Sequence, residues 1–416
     1  MNIAIVSIGD EILIGQIVNS NAAWMAESIV NVGGRIIEHV VVADDEEHLV
    51  RTLDRLRPES DVIIMTGGLG PTHDDITKPV VARYTNDKIV ERPEVVEFLQ
   101  NFMAQRGRTL TDRNRLQALA PSRATVLMNA VGTAPGLRFD LDDGILFCLP
   151  GVPTEMRYLM STFVLPLIEE RVAEYGDAVT EYYVIRTTGI VESNLADLLG
   201  DPQQLLEGAS LAFLPNYHGV RLRLGVTDTD AERRRDKQRT ILSRIRERAG
   251  RYIYAEGDVS LAEAVGRQLA RRSETVSVAE SCTGGLLGAA LTETAGSSAW
   301  FIGGIQSYAN EVKTRELGVD TLLLESFGAV SEQVAIAMAV GARQRFETTW
   351  SLSITGIAGP DGGSRDKPVG TVWIGIAGPD TAIARRYQFG DRRDVNRERS
   401  VGAALALLFE YMRMAQ

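Results

Sequence analysis

The chain has 416 residues, 44% of them hydrophobic and 6% aromatic, which exceeds one ordinary core and predicts two or three domains of globular composition. Acidic residues number 55 against 44 basic ones, for a net charge of −11 and a pI near 5.1; a general polyanion binder carries the opposite bias, so direct nucleic-acid binding is disfavoured. No apolar run reaches membrane-spanning length, Met-Asn-Ile-Ala-Ile-Val at the start has no basic region, and Cys148 and Cys282 are the only cysteines, which argues against a membrane partner, a signal peptide, a disulfide framework and a multi-cysteine zinc site, and leaves a cytoplasmic setting as the expectation.

Apolar runs at 3–7, 36–42, 62–66 and 145–149 read as strands, and helical spacing appears at 21–32, 46–57, 93–106 and 113–119. This alternation predicts a parallel sheet wrapped by helices, with ligands at the carboxyl ends of its strands. After the strand at 62–65 comes Thr66-Gly-Gly-Leu-Gly-Pro-Thr-His-Asp-Asp-Ile-Thr77. Glycines there let the backbone approach an anion, and a following helix would aim free N–H groups at it. Gly67, Gly68, Leu69, Gly70 and Thr72 are the candidate phosphate contacts, and Asp74 and Asp75 are hard ligands suited to a divalent metal. Asp10 and Glu11, after the first strand, should reach the same sheet edge, whereas Asp44, Asp45 and Glu155 are weaker candidates. The plain alternative makes Asp74 a helix cap and the glycines only a turn.

Three stretches together, Ser7–Leu13, Thr66–Thr72 with Asp74-Asp75, and Leu149-Pro-Gly-Val-Pro-Thr-Glu-Met156, resemble the molybdopterin-binding-like domain of the CinA family. The resemblance implies an α/β sandwich over 1–167 that hydrolyses ADP-ribose to AMP and ribose 5-phosphate with a divalent metal (Mg, Mn or Co, with K+ a further candidate). Relatives of this domain bind a pterin phosphate instead, which stays open as the alternative.

Residues 168–257 change texture: strands at 182–188, 211–214, 220–226 and 251–255 surround helices at 191–199 and 231–248, a small α+β domain. Its order is KH-like, but no Gly-x-x-Gly loop occurs, so an RNA-binding role is not expected. Arg233, Arg234 and Arg235 read as a solvated helix face.

From 258 to 416 the pattern is again α/β, with strands at 275–279, 350–354 and 369–376 and helices at 260–271, 283–294, 331–347 and 395–413. Ser281, in Glu280-Ser-Cys-Thr-Gly-Gly285, falls at a strand-to-helix junction, either as a helix cap or as a nucleophile beside free N–H groups. The four histidines are at 39, 48, 73 and 218, so a Ser-His-Asp or Cys-His arrangement inside this segment is impossible. Lys313 and Lys367 are its only lysines; a buried amine can serve a serine as base, and Lys367 is the poorer choice in its loop. Tyr308, five positions before Lys313, is a candidate proton relay, Thr355–Gly363 a candidate phosphate or ribose cradle, and Arg386, Arg392, Arg393, Arg397 and Arg399 include cations for phosphate.

The motifs Ala279–Gly285, Ala295–Phe301, Ser307–Lys313, Gly328–Ser331, Thr355–Gly363 and Lys367–Trp373 resemble the nicotinamide mononucleotide deamidase domain of CinA proteins. On that resemblance Ser281, Tyr308 and Lys313 are catalytic; for acyl transfer by Ser281, Thr283, Gly284 and Gly285 are expected about the oxyanion and Asn310, Thr355, Gly356 and Gly359 about the substrate, and this chemistry needs no cofactor. Joined with ADP-ribose hydrolysis, the expectation is an NAD-salvage hydrolase acting as a homodimer; a competence- or damage-linked regulatory protein is the rival.

Overall fold

The computed structural model describes residues 1–70, 75–175 and 178–414, and these divide into two compact units, 1–181 with 227–234 and 182–226 with 235–416. No helix among them is long and apolar enough to cross a membrane.

The first unit is built on strands β1 (Asn2–Ile8), β2 (Arg35–Val42) and β3 (Val62–Thr66), a small ladder of β4 (Ile89–Glu91) with β5 (Leu119–Pro121), and then β6 (Thr125–Leu127), β7 (Gly136–Leu141) and β8 (Gly144–Leu149). The main sheet runs β2-β1-β3-β8-β7-β6. Its strands β2, β1, β3 and β8 are parallel as the sequence predicts, but β7 runs antiparallel to both of its neighbours, β8 and β6. The tight Asp142-Asp143-Gly144 turn folds β7 back on β8, so this edge needs no crossover helix. Strand β1 shows why the centre is so apolar: Ile3 and Ile5 feed one core, while Ala4, Val6 and Ile8 feed the other on the opposite face.

The second unit holds two sheets. The smaller one orders β9 (Val179–Thr187), β10 (Ser210–Asn216), β11 (Gly219–Asp228) and β12 (Ile253–Glu256) as β10-β11-β9-β12, covered by the helices Glu192–Leu199 and Ala231–Ala249; β9 and β11 extend past the division into the first unit. The larger sheet comprises β13 (Val276–Glu280), β14 (Phe301–Gln306), β15 (Trp350–Gly356), β16 (Thr371–Ala377) and β17 (Ala382–Gln388) in the order β14-β13-β15-β16-β17. Its first three strands are parallel and the last three antiparallel. The helix Glu332–Phe346 lies close on one face because small residues face it: Ser351 and Ser353 donate to the carbonyls of Ala339 and Ala335, and a Cβ on Gly375 would stand 2.5 Å from the Ala335 oxygen. The larger core, with the helices Leu261–Arg272 and Arg393–Met414, lies on the other face.

Candidate active site

At the carboxyl ends of β1, β3 and β8 in the first unit lies a cleft of about 500 Å³. The backbone at Gly67 has φ +111, and a Cβ there would stand 2.4 Å from the Ile8 carbonyl, so only glycine lets the turn pass this close to β1. Gly67, Gly68, Leu69 and Gly70 line the cleft, but the Leu69 side chain is buried in the core, so only its backbone faces a ligand. Thr72 and Asp74, two of the expected contacts, lie outside the described residues.

Asp75 accepts from the Gly70 N–H at 2.6 Å, folding its carboxylate back over the turn. Asp10 and Asp44 exchange bonds between main-chain N–H and carboxylate at 3.1 and 3.4 Å. Glu11, Asp44, Asp75 and Glu155 line the cleft, yet no three acidic, histidine or cysteine side chains among the described residues converge as a metal-holding group. Asp45 caps the helix Glu46–Leu56 through the His48 N–H, a structural role. Burial raises the Glu155 carboxyl above its usual range, against hydrogen bonds from Asn129 and the 133–134 backbone.

One residue here was not anticipated. Lys78 is 7% exposed and donates to the Gln117 carbonyl at 3.0 Å. Burial lowers its pKa to about 8, and the Asp75 charge acts in the opposite sense. Its place three positions after Asp75 on a helix start was the available signal.

In the second unit the site forms where β13 ends between two parallel neighbours. The Ser281 N–H donates to Ile354 and the Ser307 N–H to Glu280, which fixes the chain leaving the strand. The helix then begins at Leu286, later than the predicted 283, because Gly284 and Gly285 take left-handed φ values of +61 and +101. Ser281 is therefore no helix cap. That role falls to Glu280, 1% exposed, whose carboxylate accepts from the N–H groups of Gly285, Leu287 and Gly288 at 3.0, 3.1 and 2.8 Å.

This capping corrects the expected oxyanion donors. Gly285 gives its N–H to Glu280 and Gly284 gives its own to the Ser281 carbonyl. The Thr283 N–H has no acceptor among the described residues and stands two positions from Ser281, whereas the Cys282 N–H turns to its own thiol. Thr283 Oγ1 and Arg397 Nε are also buried without a partner there, while Arg397 Nη2 holds the Thr283 carbonyl at 2.8 Å. Orphaned polar atoms of this kind are what a bound ligand satisfies.

Lys313, on the helix Asn310–Leu317, is 1% exposed, so it is not the surface lysine its charge suggests. Its Nζ lies 3.3 Å from Ser281 Oγ, 2.7 Å from the Ser307 carbonyl and 3.1 Å from the Tyr308 carbonyl. Two carbonyls orient two N–H bonds, which in the neutral amine leaves the lone pair for the serine hydroxyl. Burial lowers the Lys313 pKa, the effect a base requires. Burial also pushes the Cys282 thiol up to about 11, away from nucleophilic form.

The expected relay is not built. Tyr308 is 64% exposed and its hydroxyl pairs with Arg393 at 3.4 Å, while Lys313 meets Ser281 directly. Thr355 turns its hydroxyl to the Ala329 carbonyl, and a Cβ on Gly356 would press Val372, so both have packing roles here. Gly359 gives its carbonyl to Arg393 at 3.0 Å. Asn310 is exposed at the helix start, with no side-chain hydrogen bond among the described residues. Of the arginines, Arg393 and Arg397 join this site, Arg392 pairs with Asp394, and Arg386 and Arg399 line a different groove.

A glycine-turned cleft at a parallel sheet edge and a buried Ser–Lys pair define a multidomain, hydrolase-like protein. Comparison with known proteins places it further. The CinA C-terminal domain matches 258–412, the probable molybdopterin binding domain 4–170, and the KH domain of damage-inducible protein CinA 183–255. A CinA-like protein of Gemmatimonas aurantiaca is 45% identical over 90% of this chain and 88% of its own length. One from Salinibacter ruber is 42% identical over 97% of this chain and 98% of its own, and one from Chlorobium limicola 42% over 98% and 96%. The chain belongs to the CinA family.

Proposed function

We propose that the second unit deamidates nicotinamide mononucleotide to nicotinate mononucleotide and ammonia through a Ser–Lys pair. The observation that carries this is Lys313 Nζ, buried and held by two carbonyls 3.3 Å from Ser281 Oγ. Ser281 Oγ attacks the carboxamide carbon as its proton passes to the neutral Lys313 amine. The free N–H of Thr283 holds the oxyanion. Lys313 returns the proton to the leaving nitrogen, ammonia departs, and water then cleaves the acyl-serine. Ammonia release from nicotinamide mononucleotide should vanish in Ser281→Ala and persist in Cys282→Ala; the reverse pattern would move the nucleophile to the thiol.

For the first unit we infer hydrolysis of ADP-ribose to AMP and ribose 5-phosphate, supported by the cleft at the carboxyl ends of β1, β3 and β8 with its glycine turn. The described carboxylates do not complete a metal-holding set; the dependence on Mg, Mn or Co comes from the family resemblance. A site that only binds a pterin phosphate would leave ADP-ribose intact.

A further inference from the structure

The second unit carries another concavity, of about 1050 Å³, which shares no residue with the Ser281 site. It lies between the β10–β11 turn, the loop after β9, strand β17 and the C-terminal helix Arg393–Met414. The turn seats on that helix at Gly402, where a Cβ would meet the Tyr217 carbonyl at 2.6 Å. Five lining arginines (251, 385, 386, 399 and 413) face two lining acids, Glu192 and Glu410, so five minus two leaves +3 in a chain of net −11.

Their partners differ. Glu410 neutralises Arg385, and Arg413 is held by the Gly250 and Arg251 carbonyls. Arg386 touches only the Asp366 carbonyl, and Arg399 has no hydrogen bond or ion pair among the described residues. Rings stand beside them: Tyr217 is 49% exposed, Arg251 lies over Tyr252, and Tyr387 stacks on Phe389 at 5.8 Å.

We propose that this groove binds a dinucleotide, its pyrophosphate on Arg386 and Arg399 and its bases on the tyrosines. Guanidiniums without an acidic partner among the described residues suit phosphate oxygens, and ring faces suit bases. The volume stands at the upper end of small-molecule sites, roughly 300–1,000 Å³, and so accepts two nucleosides. A nucleic-acid strand is the poorer occupant, since the acidic chain repels a long polyanion beyond the groove.

One helix joins this groove to the Ser281 site. Its first turns place Arg393 on Tyr308 and Gly359 and Arg397 on Thr283, and its next turns line the groove from Arg399 onward. Occupancy of the groove therefore biases the nucleophile turn, a consequence that rests on the amidohydrolase reading, whereas the binding itself does not.

The test is calorimetric titration of the full chain with diadenosine pyrophosphate, repeated on the Arg386→Ala/Arg399→Ala double variant and on Tyr217→Ala. Each variant should weaken one binding event by at least about tenfold. No such event, equal affinity in all three chains, or tighter binding of a short single-stranded oligonucleotide with the same variant dependence would overturn the site. Saturating probe should also shift kcat/KM for nicotinamide mononucleotide in the wild type and not in the double variant, whose basal rate stays unchanged. Binding without that shift overturns the coupling alone, and a chain without deamidase activity still reports the binding.

Discussion

Two buried lysines, Lys78 and Lys313, stand near the carboxyl ends of parallel strands in the two units, and their partners assign them opposite work. Lys313 Nζ meets a serine hydroxyl and two carbonyls, while the nearby Glu280 carboxylate is committed to three helix N–H groups. Among the described residues, Lys78 meets one carbonyl and feels the charge of Asp75, with no nucleophile beside it. Desolvation lowers both pKa values. An amine next to a hydroxyl gains from losing its proton, whereas an amine that supports a carboxylate is useful only while charged.

The largest effect expected from this contrast is at Lys313. Lys313→Met should cut ammonia release from nicotinamide mononucleotide by about a thousandfold or more, and Lys313→Arg should not restore it, because a guanidinium does not give up its proton. A functional Lys313→Arg enzyme would show that the residue supplies charge and not basicity.

Next in size comes Asp75→Ala, expected to lower ADP-ribose hydrolysis about a hundredfold while deamidation in the same preparation holds. EDTA should silence ADP-ribose hydrolysis as well, with activity returning on added Mg, Mn or Co. Hydrolysis that survives both treatments would remove the carboxylate–metal reading of the first unit.

Smaller, and aimed at the lysines together, is the pH response. Deamidation should rise as Lys313 deprotonates, at a pH below the ordinary lysine value of 10.5. ADP-ribose hydrolysis should fall as Lys78 loses its charge near pH 8. The stability linkage has one sign for both: each folded amine releases its proton before the unfolded one, so the unfolded chain binds more protons in between and this contribution to stability rises with pH. For Lys78 that window runs from about 8 to 10.5. Parallel pH–rate slopes at the two sites would break the contrast.

How much of this was legible varies with the residue's surroundings. Strands β1, β3 and β8 read correctly because both their faces are buried, giving unbroken apolar runs. Strand β14 has no apolar pattern in the sequence: two of its six residues, Gly303 and Gly304, are glycines packed under Phe346 and Val278, and glycine carries no strand signal. Strand β17 at the sheet edge carries Arg385 and Arg386 and looks like a loop. Ser281 was found from its junction, but the burial of Lys313 and Lys78 is a tertiary fact: a lysine in sequence is a surface residue until its neighbours are known. The delayed helix start likewise depends on the φ values of Gly284 and Gly285 and on a capping carboxylate that precedes Ser281.

The smallest expected effect falls on Tyr308, where sequence and geometry part. A relay phenol would have to stand between Ser281 and Lys313, and its loss would reduce kcat as severely as loss of the base. Here the hydroxyl is exposed and held by Arg393, and the contribution to Lys313 comes from the Tyr308 main-chain carbonyl, which a side-chain change leaves in place. Tyr308→Phe should therefore keep kcat within about threefold of wild type, with any change appearing in KM through the Arg393 contact. Tyr308→Ala, which also removes the ring, should raise KM further while the pH of the rising limb stays where Lys313 sets it. A collapse of kcat in Tyr308→Phe, or a shifted limb, would put the phenol back into the proton path and make the direct Ser281–Lys313 contact a resting arrangement of the site.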